Sequence, residues 1–199
     1  MSRSAAQPKP EPEVSDGRRR RGQDNRARIV AAMIALVGEG EVAPRAEQVA
    51  ARADVGLRTV FRHFEDMDSL YREMSKAIEA ELRAIVDPPL EAADWPARLR
   101  ELIDRRARAF ERIAPFRRAA EAFRHRSKFL GQDYARLVVT LRQVLTREAP
   151  AHVLADREAF EAMDLVMSFE AWSRLRREQG LSPEAAKAVI AKAVDKLTG

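Results

Sequence analysis

The 199-residue chain has no cysteine, which removes disulfides, thiolate metal sites and cysteine nucleophiles together and fits a reducing compartment, the cytoplasm by default. It has no apolar stretch near the ~20 residues that cross a bilayer, and no apolar leader segment, so no membrane partner is expected. It has only three histidines, His63, His125 and His152, which lie far apart and show no ligand spacing. No metal site is therefore expected. G-x-S-x-G, H-E-x-x-H, a Walker loop and a dinucleotide fingerprint are all missing, so neither an enzyme nor a cofactor is expected. Internal repeats and strand-like alternation are also lacking.

What is present is apolar side chains at helical spacing and an excess of positive charge. Hydrophobic residues make up 46% of the chain, enough for a packed core, and 36 Lys and Arg against 31 Asp and Glu leave a formal charge of +5. That balance suits an anionic partner. Residues 1–17 carry too few apolar groups for burial to offset the entropy of ordering them, and Arg18, Arg19, Arg20 and Arg21 follow. The expected organisation is a disordered basic tail over 1–22, a first helical unit over 23–68 and a second helical unit over 69–199.

A first helix is expected to start at Asp24 or Asn25, burying Ile29, Val30, Met33, Leu36 and Val37, and to stop at Gly38. Ala46, Val49, Ala50 and Ala53 share one side of a short second helix. Asp54 and Gly56 then tolerate a tight turn, and a third helix begins near Leu57. In that helix Val60, Phe61 and Phe64 are expected to face inward, and Arg58, Thr59, Arg62 and His63 outward. Two short helices about a tight turn form a helix-turn-helix. A fourth helix of about 20 residues runs from the Asp66 cap, through Leu70, Met74, Ile78 and Leu82, to Pro88 and Pro89.

The remainder reads as more helices. One pair is expected to part at Pro115, a single long helix to end at Gly180, and a last helix to open at Ser182 and Pro183, with Ala185, Val189, Ala193 and Leu197 at every fourth position. Alternating charge in "LRELIDRRARAFER" reads as an exposed, salt-bridged face. The fold class is all-α with about nine helices.

The run Ala50, Ala53, Asp54, Val55, Gly56, Thr59, Phe61, His63, Phe64, Met67 and Leu70 resembles the tetracycline-repressor (TetR) family of transcription regulators. It matches the family's A-x-x-A-G-V-S-x-x-T-x-Y-x-H-F-x-x-K-x-x-L without a gap. The resemblance implies a ligand-responsive regulator, by family habit a repressor, with a helix-turn-helix DNA-binding domain over 23–68 and a helical ligand-binding and dimerisation domain over 69–199. Such a protein binds a near-palindromic double-stranded DNA operator as a homodimer and is released by a small-molecule effector. Four positions depart: Asp54 for glycine, Gly56 for the capping serine, Phe61 for a phosphate-binding tyrosine and Met67 for a phosphate-binding lysine. Arg45, where threonine is common, and the Arg18–Arg21 run are positioned to restore the lost charge.

The expected DNA-binding residues are Arg45, Gly56, Leu57, Arg58, Thr59, Phe61, Arg62 and His63, with Arg58 as base reader and Arg18, Arg19, Arg20 and Arg21 as a candidate arm. Candidate pocket residues are Phe110, Phe116, Phe123, Tyr134, Met163 and Met167, with His125 or Asp164 as polar handles. The last helices supply the expected dimer surface: Phe169, Trp172, Leu175, Val189, Ala193 and Leu197. The competing reading is a helical adaptor or a nonspecific basic DNA coater.

Overall fold

A computed structural model describes the backbone of residues 14–123 and 128–198, and the side chains of residues 20–122 and 135–198. The described residues form ten α-helices and no strand, in keeping with the all-α expectation. His125 and the side chains of Phe123 and Tyr134, proposed as pocket residues, and those of Arg18 and Arg19 lie outside the described residues.

Helix α1 (Val14–Gly38) begins earlier than expected, so Arg18–Arg21 and Gly22 lie within it. Arginine is a good helix former, and one glycine costs only about 1 kcal/mol. Ile29, Met33 and Val37 are buried as expected. They meet α2 (Ala46–Arg52), α3 (Leu57–His63) and α4 (Met67–Val86), all of which pack on α1. Ala46, Val49, Ala50 and Ala53 are buried together, and these small side chains allow the close approach of α2. At the start of α4, the Asp66 side chain accepts from Ser69 N at 2.8 Å. Leu70, Met74 and Ile78 bury its inner face.

Helix α5 (Trp95–Phe123) runs unbroken through Pro115, correcting the expected division. An interior proline costs ~3 kcal/mol. Phe110, Ile113, Phe116 and Ala119 are buried around it, and burying each of the larger side chains contributes about 1.5–3 kcal/mol, so packing outweighs the missing hydrogen bond. Helix α6 (Lys128–Glu148) lies against α5 and α4, and a short α7 (Ala151–Ala155), not foreseen, leads into the next helix.

The expected single helix ending at Gly180 is two, α8 (Arg157–Val166) and α9 (Phe169–Ser173), followed by a wide π-helical turn over Arg174–Glu178. Ser168 caps α9 by accepting from Ala171 N at 3.2 Å, and the Arg106 guanidinium donates to the Met167 carbonyl at 2.9 Å. Gly180, at φ +68°, ends the segment in the left-handed region that glycine adopts without strain. Helix α10 (Pro183–Thr198) opens as expected, with Ser182 Oγ accepting from Ala185 N at 3.2 Å. Its core stripe is Ala186, Ile190 and Val194, one position on from the expected one, and it packs on α8 and α5.

The face read as exposed and salt-bridged contains two buried arginines, Arg105 and Arg106. Arg105 donates to the Pro88 and Pro89 carbonyls and to Glu101, fastening the α4–α5 link. Arg106 donates to the carbonyls of Met167 and of Leu141, the latter at 2.6 Å, and so joins α5, α6 and the α8–α9 break. Burial pushes its pKa down to about 10 while Asp164 opposes the shift, so the group stays charged at neutral pH. The carbonyls in turn satisfy the donors of two guanidinium groups that are themselves buried.

Candidate nucleic-acid interface

The turn between α2 and α3 closes through Val55 N to the Ala50 carbonyl, 3.0 Å. Asp54 sits at φ +50°, the left-handed conformation anticipated for it, and Arg28 of α1 donates to its carbonyl (3.0 Å) and carboxylate (3.2 Å). Gly56 does not use its freedom: at φ −69° it is an extended N-cap with no side chain to offer. Helix α3 therefore starts from a turn held by α1.

Two buried side chains, Val60 and Phe64, anchor α3. Arg26 of α1 locks its end, donating to the His63 carbonyl at 2.9 Å, pairing with Glu73 of α4 at 3.2 Å and lying 4.5 Å over the Phe64 ring. Sequence reasoning missed Arg26. Its only signal is its place on α1, one turn before the buried Ile29–Met33 stripe.

The exposed face of α3 is Leu57, Arg58, Phe61 and Arg62. Phe61, expected to face inward, is 49% exposed, because Val60 and Phe64 already occupy the buried stripe. Thr59 and His63, expected outward, are half-buried. The His63 ring lies beside Gly22 of α1, where a Cβ would stand 4.0 Å from Cε1, and its buried Nε2 has no hydrogen-bond partner among the described residues. Desolvation, then Arg62 and Arg26, lower its pKa, so the ring is neutral at pH 7.

Arg58 and Arg62, and the exposed Arg45 at the start of α2, have no acidic partner among the described residues. Arg26, Arg28 and Arg52 do, in Glu73, Asp54 and Glu39. The arginines of this unit thus divide into those that brace the fold and those presented to solvent. Arg20 and Arg21 lie along the exposed start of α1.

Above this unit, α4, α5 and α6 line a partly open cavity of about 370 Å³. Phe110 and Phe116 line it as expected, with Met74, Ile78, Leu82 and Leu137. Met163 and Met167 do not: both are fully buried core residues. Asp164 is held by Arg142 at 3.0 Å and stands away from this cavity.

Of the expected dimer residues, Trp172 is 1% exposed and donates to Glu111 at 2.9 Å, so it belongs to the core of its own chain, and Phe169 meets Phe110 edge-on at 5.6 Å. Leu175, Ala193 and Leu197 are half-buried, and Val189 is 45% exposed.

This arrangement of helices is similar to solved structures of bacterial regulators. A transcriptional regulator from Rhodococcus sp. Rha1 superposes with a TM-score of 0.63 at 17% identity, covering 86% of this chain and 95% of that one. A protein assigned as a TetR-family transcriptional regulator from Mesorhizobium loti gives 0.64 at 18% identity, covering 89% and 96%. The chain has the fold of TetR-family regulators. The multidrug binding protein EbrR, solved with imidazole, matches at 0.60 and 20% identity over 84% of this chain and 88% of its own. No family model and no curated protein matches the sequence.

Proposed function

We propose that the chain is a ligand-responsive transcriptional repressor that binds a near-palindromic operator as a homodimer and leaves it when a small molecule enters the α4–α5–α6 cavity. The observation that carries this reading is the exposed face of α3, where Arg58 and Arg62 stand without acidic partners among the described residues, on a helix fixed from behind by Arg26 and Arg28. An arginine fork near the start of such a helix can grip guanine O6 and N7, discriminating by about 1–3 kcal/mol per pair. Arg45, and Arg18–Arg21 on α1, add phosphate neutralisation, which governs overall affinity.

Helix α4 supports the regulatory half of the reading. Its Leu70 and Tyr71 belong to the core beside α1, while its Met74, Ile78 and Leu82 line the cavity, so one helix touches both the DNA-binding unit and the ligand space. A molecule that prefers the α4 position incompatible with DNA lowers DNA affinity, and DNA weakens that molecule by the same factor. EbrR binds multiple drugs, which is consistent with an effector site in a protein of this fold.

One half-site is too short for genomic specificity, and two-fold pairing would place recognition helices ~34–36 Å apart. Binding selection from random duplex DNA with the purified protein tests the reading. A two-fold symmetric consensus that survives competitor DNA is expected. Recovery of no consensus, with binding lost as salt rises, would instead identify a nonspecific coater.

A further inference from the structure

The outer face of α3 is more than basic. Leu57, 37% exposed, and Phe61, 49% exposed, stand one helical turn apart and form an apolar ridge alongside the parallel row of Arg58 and Arg62. The ridge is not excess core: Val60 and Phe64 alone fill the buried stripe of α3. Nor is it shared with another helix among the described residues, since α3 packs on α1 and α2 through its opposite side.

A partner for this face must satisfy both properties. The guanidinium groups of Arg58 and Arg62, which have no acidic partner among the described residues, require negative charge or acceptor-rich edges, and the ridge requires an apolar group beside them. In the major groove, one base supplies an apolar group: the C5-methyl of thymine projects beside the acceptor edges that arginine reads. Protein surfaces with a similar ridge ordinarily bury it against apolar side chains, which would leave the flanking arginines desolvated and unpaired.

Resting on the DNA-binding role proposed above, we propose that Leu57 and Phe61 read thymine methyl groups beside the guanine gripped by Arg58. Each half-site then contains at least one thymine whose methyl group, and not merely its pairing, is required. The i, i+4 separation spans about 6 Å along the helix, near two base steps of 3.4 Å each, so the two side chains reach different bases.

The test uses the full-length protein and the duplex recovered by selection. Each thymine of a half-site is replaced in turn by deoxyuridine, which keeps the pairing and every hydrogen-bonding edge and removes only the methyl. Binding is measured at fixed salt. At one or more positions the affinity should fall about fourfold, the worth of one buried methyl. In Leu57→Ala or Phe61→Ala the loss at the matching position should disappear. A consensus lacking thymine, uniform tolerance of deoxyuridine, or sensitivity unchanged in both variants overturns the proposal. Absence of any sequence preference in the selection is a different result and overturns the DNA-reading role itself. The deoxyuridine scan on the unmodified protein decides the matter even where a variant folds poorly.

Discussion

Arg26 and Arg58 are chemically identical, and their surroundings give them opposite work. Arg26 binds the His63 carbonyl and Glu73 and covers Phe64, so its charge is spent inside the protein. Arg58 is exposed with no acidic partner among the described residues, and its charge remains available. Arg58→Ala should leave thermal stability within about 0.5 kcal/mol, as for an ordinary surface change, while costing about 1–3 kcal/mol of discrimination at one base pair. Footprinting against variant operators checks this, and an unaltered base preference would remove Arg58 from the reading role. The inward–outward division along α3 was legible except at three positions. A spacing argument sets the direction of the buried stripe but not its width, and Val60 with Phe64 proved sufficient, releasing Phe61 outward. His63 turned partly inward because α1 reaches further than expected and lies beside its ring, and Thr59 is half-buried with it.

Among the elements, α9 and the π-helical turn depend on a single carboxylate of α5. Glu111 accepts from Trp172 Nε1 at 2.9 Å and from Arg176 Nε at 2.8 Å. Arg176, with the Trp172 N–H, holds its carboxyl below the usual carboxylate range, against desolvation. Because the folded-state value is depressed, the stabilisation is complete above the ordinary glutamate pKa of about 4.3 and fades as pH falls through the lower folded value. Glu111→Ala leaves the indole N–H of a buried tryptophan without a partner, a loss of about 1–2 kcal/mol at pH 7, or roughly 2–8 °C in Tm for a chain this size. Thermal melts at pH 7 and near pH 3 check it: the gap between the two proteins should narrow at the lower pH. Element boundaries were legible where a cap or breaker stood at the junction, as with Asp66, Gly180 and Ser182. They were missed where packing outvoted the local signal, as at Pro115, or where an arginine from another helix took the freed carbonyl, as at Met167.

At the scale of the molecule, α8 and α10 pack on each other yet keep Leu165 (68% exposed) and Val189 (45% exposed) on the surface. Paired α8–α10 faces would form a four-helix bundle about a two-fold axis, the association that the proposed two-fold operator would require. The double variant Leu165→Glu, Val189→Glu should sediment as a monomer with unchanged helical circular dichroism, and its operator affinity should drop by at least tenfold. Persistence of the dimer would place the interface elsewhere. The cavity lies on the other side of the same α5 scaffold. Of its described liners, the sequence pointed to Phe110 and Phe116, but it could not supply the α4 stripe of Met74, Ile78 and Leu82, which reads equally well as core.

By itself the sequence determined the all-α class, the order of the helix-turn-helix, the left-handed Asp54 and the basic character of α3, because helical periodicity and turn preferences act over a few neighbouring residues. The tertiary structure decided which arginines are braced and which are free, that Arg105 and Arg106 are buried, that Met163, Met167 and Trp172 are core rather than pocket or interface, and that Phe61 faces outward. Several of those outcomes depend on partners far along the chain, such as Arg26 with His63, 37 positions away, and Arg106 with Met167, 61 positions away, and local spacing contains no information about which distant carbonyl or ring will arrive.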